Sequence, residues 1–120
     1  MNPEVKQWLA TAEQLTHDDA SSTPPALCFR GAAFALRAAL EAAVAAALSA
    51  ASVDVTAGGA RARFLGLRVC VDASTARRAK ALWGALSLAC HYHQYELGPS
   101  KEQVRSWHAE VVAVLGCLNT

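Results

Sequence analysis

Net charge, aromatic bulk and closely spaced cysteines are all scarce in this 120-residue chain. Acidic and basic side chains nearly cancel to a formal charge of +1, so no global field draws in nucleic acid or a membrane surface. The four cysteines, Cys28, Cys70, Cys90 and Cys117, are far apart and form no CxxC pair. Such spacing reads as buried thiols rather than a disulfide framework. No basic-then-apolar leader is visible either, and the two absences together point to a reducing cytoplasm. Apolar runs fall short of membrane length. Ala26 to Ala51 comes nearest, but Arg30, Arg37 and Glu41 interrupt it, which argues against a membrane span. Neither Gly31 nor Gly58-Gly59 sits in a phosphate-loop frame, and no serine sits in a nucleophile elbow. No cofactor is implied.

What the chain has in abundance is alanine, 27 residues of it, within a hydrophobic fraction of 53%. Alanine is the best helix former because it loses no side-chain entropy in the helix. The length suits one domain with one core. The expected fold is all-α, an up-and-down bundle of four or five helices. Because alanine is small, the bulk of the core is expected from Trp8, Phe29, Phe34, Phe64, Trp83, Trp107 and the leucines.

Capping and periodicity place the elements. Asn2, Pro3 and Glu4 predict a helix over 3–16, with Val5, Trp8, Leu9, Ala12 and Leu15 on one stripe. Residues 17–25 end in a double proline and read as a loop. A second helix should run from Pro24 or Pro25, capped by Thr23, to about Ala51, with Leu36, Leu40, Val44 and Leu48 repeating every four residues. Residues 60–69 suit a short helix, with a strand as the alternative. Asp72 or Ser74 caps a fourth helix whose spacing continues to His93 and stops by Gly98-Pro99. Ser100 and Gln103 then form a capping box for a fifth, with Val104, Trp107, Val111, Leu115 and Leu118 as its apolar stripe.

Charge is uneven along the chain. Residues 1–25 carry an excess of three negative charges, and residues 61–80 an excess of five positive ones. The latter is a basic patch or a solvated helix face. Two polar groups could carry chemistry. The first is the run Cys90-His-Tyr-His-Gln-Tyr-Glu-Leu97. On a helix, His91 and His93 would point about 200° apart, unsuited to one metal ion, whereas His93 and Glu96 would share a face. A histidine here could move protons near neutral pH, or the rings could simply pack at a helix end. The second is the stripe Arg30, Arg37, Glu41. Arg37 and Glu41 are four apart and can pair, either as a packed ion-pair network or beside a groove that takes an anion.

Two segments resemble the HEPN superfamily, small helical bundles of prokaryotic toxin–antitoxin and phage-defence systems. They are Arg30-Gly-Ala-Ala-Phe-Ala-Leu-Arg37-Ala-Ala-Leu-Glu41 and Trp83-Gly-Ala-Leu-Ser-Leu-Ala-Cys-His91-Tyr-His-Gln-Tyr-Glu. The likeness covers about residues 26–118. It implies a HEPN-like bundle, pairing of two copies through the late helices, and His91 at the position of the family histidine. Catalytic members are metal-independent ribonucleases with an arginine followed by a polar residue and, after a total gap of four to six residues, the histidine. No arginine stands at the required positions before His91, His93 or His108. The expectation is therefore a non-catalytic module that binds RNA, a nucleotide or a partner protein through Arg30, Arg37, Glu41, His91, His93, Tyr95 and Glu96. The alternatives are an active ribonuclease, using His91 or His93 with Arg30 or Arg37 brought close by folding, and a structural or interaction subunit with no ligand site. No metal site and no membrane contact are expected.

Overall fold

In a computed structural model of the chain, which describes residues 2–17, 24–53, 58–91 and 98–118, every regular element is helical. They are α1 (Pro3–His17), α2 (Pro25–Ala50), α3 (Ala60–Gly66) with a 3-10 turn at Leu67–Val69, α4 (Ala73–Cys90) and α5 (Lys101–Leu118). The residues where a strand was the alternative form α3 and its 3-10 turn.

The caps explain where these helices begin. Asn2 Oδ1 accepts from the Glu4 N–H at 2.8 Å. Asp72 accepts from the Thr75 N–H at 3.1 Å and from its hydroxyl at 2.6 Å. Ser100 Oγ accepts from the Gln103 N–H at 3.1 Å. Each satisfies one of the four amide groups a helix start leaves unpaired. The Thr75 hydroxyl and amide hold the Asp72 carboxyl below its usual range. The cap is thus stabilising above the ordinary carboxyl pKa and is lost as pH falls through the depressed value. At α2 the cap position is Pro24, which makes no side-chain cap bond. Thr23, expected there, lies outside the described residues.

The end of α2 is a Schellman turn. The Val53 N–H reaches Leu48 O at 2.9 Å and the Ser52 N–H reaches Ser49 O at 3.0 Å. Ser52 takes the left-handed conformation this requires, with φ 60°.

Helix α2 is the spine and touches every other helix. Leu36, Leu40, Val44 and Leu48 are all buried, as their spacing predicts, together with Ala32, Ala33, Ala35 and Ala39. Leu15 lies beside Gly31, where an added Cβ would come within 3.2 Å of its Cδ1. Asn2 and Val5 share a cavity wall with Ala46, Ala47 and Ala50. Those two pairings run α1 antiparallel to α2. Helix α4 is antiparallel to α2 as well, with Trp83 opposite Glu41 and His91 beside Arg30. Helix α5 reverses again, and an Arg78–Glu110 ion pair of 3.1 Å fastens it to α4. Helices α1 and α4 do not touch each other.

The expected aromatic core is corrected. Of those six aromatics, Phe64 alone is fully buried; Phe34 is 47% exposed, and Trp8, Phe29, Trp83 and Trp107 are partly covered. Small side chains let the helices approach closely, so aliphatic residues suffice to fill the space. The thiols are also corrected. Cys28 is buried, but Cys70 and Cys90 are only partly covered and Cys117 is exposed. The stretch Leu27–Ala50 is long and apolar enough to cross a membrane by length and composition alone, with a mean hydropathy of 1.6, although 44% of that window is buried here.

Replacing Ser52 by glycine removes the steric cost of a left-handed side-chain-bearing residue, roughly 1 kcal/mol. The Ser52→Gly protein should therefore show a higher urea midpoint with an unchanged slope; a lower midpoint would mean that Ser52 does not hold this conformation.

Candidate functional site

The polar stripe of α2 recurs at one helical face: Arg30, Phe34, Arg37 and Glu41, three or four residues apart. Because α1 and α4 flank α2 without meeting, this face is only half covered.

The expected Arg37–Glu41 pair does not form. Trp83 Nε1 instead donates to Glu41 Oε2 at 3.1 Å. Trp83 is held for this by stacking on Phe64, centroids 5.2 Å apart and planes 29° apart. Arg37 lies over the face of Phe34, its Cζ 5.4 Å from the ring centroid. Trp8 of α1 meets the same Phe34 ring edge-on at 5.9 Å. An indole N–H needs an acceptor when part-buried, and a guanidinium gains from a ring face, so each half of the pair has a better partner than the other.

Cys90 sits within the field of both charges. Burial pushes its thiol up from the usual value; Arg37 opposes that shift and Glu41 adds to it. The nearby Ser87 Oγ is buried and has no hydrogen-bond partner among the described residues.

His91 belongs to a second location. Helix α4 ends at Cys90, and His91 is its cap in extended backbone, with φ −71° and ψ 135°. The helical spacing expected to continue to His93 is thus corrected at His91, while His93 itself lies outside the described residues. His91 lines a cavity of about 270 Å³ with Arg30, Ala85, Leu88, Ala89, Gly98, Pro99 and Trp107. Arg30 and His91 come together here from α2 and the end of α4, while Arg37 and Glu41 face Phe34 and Trp83. His93, Tyr95 and Glu96 lie outside the described residues. Among the described residues no three His, Cys, Asp or Glu side chains are grouped to hold a metal ion.

Sequence reasoning assigned Trp83 and Trp107 to the core and overlooked their site roles. A tryptophan N–H that must find a partner was the available signal for Trp83; nothing local marked Trp107. Comparison with protein-family models, with curated proteins and with solved structures finds no match to this chain.

Two outcomes check this geometry. Arg37→Ala should slow alkylation of Cys90 by iodoacetamide at mildly alkaline pH and Glu41→Gln should speed it, because the thiolate is the nucleophile. Exposed Cys117 should react before either; equal Cys90 rates in all three proteins would place the charges too far away to act. Glu41→Ala, which orphans the Trp83 N–H, should cost about 1 kcal/mol in chemical denaturation, whereas Glu41→Gln keeps an acceptor and should cost less.

Proposed function

We propose that this chain is a non-catalytic, HEPN-like module that binds a phosphate-bearing ligand, a nucleotide or single-stranded RNA, in the cavity between α2, α4 and α5. One observation carries the reading: Arg30 and His91, distant in sequence and on different elements, line the same cavity as the Trp107 ring. A guanidinium offers forked donors to phosphate oxygens, an imidazole adds one more, and an indole face takes a base by stacking. At about 270 Å³ the cavity approaches the roughly 300 Å³ at which small-ligand sites begin. A local site of this kind needs no global positive charge, in keeping with the near-neutral chain.

The same pair supports a second reading, a ribonuclease in which Arg30 reaches the histidine through the fold and not through a linear motif. His91 would then move the proton and Arg30 would stabilise the developing charge on phosphorus.

The test is titration of a labelled single-stranded RNA and of a nucleoside monophosphate. Arg30→Ala and His91→Ala should each weaken binding about tenfold or more, as expected for a lost hydrogen bond to a charged group. Unchanged binding in both sinks the site. Cleavage of the RNA in excess chelator, lost in His91→Ala, would favour the ribonuclease over the binding module.

A further inference from the structure

A trough of about 470 Å³ runs along α2 on the side of Glu41, separate from the Arg30–His91 cavity. Its floor is alanine, including Ala38, Ala42 and Ala45, and its walls are Trp8 and Glu4 of α1 and Arg63 of α3. It exists because α2 presents methyl groups where α1 and α3 diverge, and a methyl group fills little space.

Its charges are what separate it from an empty gap. Two carboxylates, Glu4 and Glu41, and one guanidinium, Arg63, line it together. Opposite charges lining one trough can pair, yet neither Glu4 nor Glu41 forms an ion pair with Arg63 among the described residues. The trough itself keeps the carboxylates and Arg63 apart. Glu41 is held in place, since Trp83 Nε1 binds its Oε2 and Trp83 is stacked on Phe64. Its Oε1 accepts no hydrogen bond among the described residues. A fixed carboxylate with one open oxygen is a pre-organised acceptor, and pre-organisation lowers the cost of binding.

We infer that this trough binds a basic amino acid, a zwitterion with a second cationic group. Two cations and one anion on the ligand then match two carboxylates and one guanidinium on the protein. The α-carboxylate meets Arg63. The two ammonium groups meet Glu41 and Glu4. The methylene chain lies along the alanine floor, and the Trp8 ring offers a face to a cationic end. The volume falls in the range of about 300–1,000 Å³ typical of small-molecule sites. A purely anionic ligand would meet two carboxylates, and a simple diamine would leave Arg63 unmatched.

The experiment is calorimetric titration of the full chain with L-lysine, cadaverine (no carboxylate) and L-norleucine (no side-chain ammonium). L-lysine should bind saturably, and each comparator about tenfold more weakly, the scale of one lost charged hydrogen bond. Glu41→Gln keeps an acceptor for Trp83 and should weaken L-lysine about tenfold. Arg63→Ala should remove the preference for L-lysine over cadaverine; Arg63 lies on α3 and not on α2, and carries the test should the Glu41 variant fail to fold. No saturable heat up to about 10 mM L-lysine, or equal affinity in the wild type and Arg63→Ala, would overturn the inference. Arg30 and His91 take no part, so the outcome is independent of the phosphate site.

Discussion

Close approach of other helices to the alanine-rich α2 is the constraint on which the rest of the molecule depends. Ala32, Ala33, Ala35 and Ala39 are buried beside Leu36, Leu40, Val44 and Leu48. Small side chains shorten the distance between helix axes, and the leucines and valines of α1, α4 and α5 can then close the core without large rings. Gly31 is the tightest case, since a Cβ there would lie 3.2 Å from Leu15 Cδ1. The cost of the arrangement is incomplete filling. Where the helices diverge, alanine leaves room, and two of the cavities along α2 are floored or walled by it.

The half-covered face of α2 follows from the same packing. Helices α1 and α4 both lie on α2 but not on each other, so the stripe Arg30, Phe34, Arg37, Glu41 remains between them. Rings from the flanking helices then decide what the charged groups do. Trp83 takes Glu41, and Phe34 takes Arg37. In separating the two charges, the aromatics leave each one available to its own surroundings: Arg37 and Glu41 to the Cys90 thiol, and Glu41 to the trough beside Trp8.

Helix starts and stripes were legible because they are local. Asn2, Asp72 and Ser100 cap through atoms two or three residues away, and the spacing Leu36, Leu40, Val44, Leu48 is a property of one helix. The basic run over 61–80 was legible as charge but not as function. It divides into Arg78, paired across to α5, and Arg63, which lines the trough, with no local signal to distinguish them. The Arg37–Glu41 pair failed as an expectation because a four-residue spacing permits a contact without requiring it, and a tertiary partner from α4 was better. The end of α4 failed because helical spacing in the apolar positions ran on past Cys90, while the backbone at His91 turned extended.

By itself, the sequence determined the helical class, the helix starts at residues 3 and 101 with another at Asp72 or Ser74, and the aliphatic face of α2. Each rests on interactions within one turn or on the repeat of a single helix. Tertiary structure alone decided which rings are buried, which cation meets which carboxylate or ring, and that Arg30 and His91 share one cavity. Those outcomes depend on contacts between residues tens of positions apart, and nothing in the local chain encodes the distance between them.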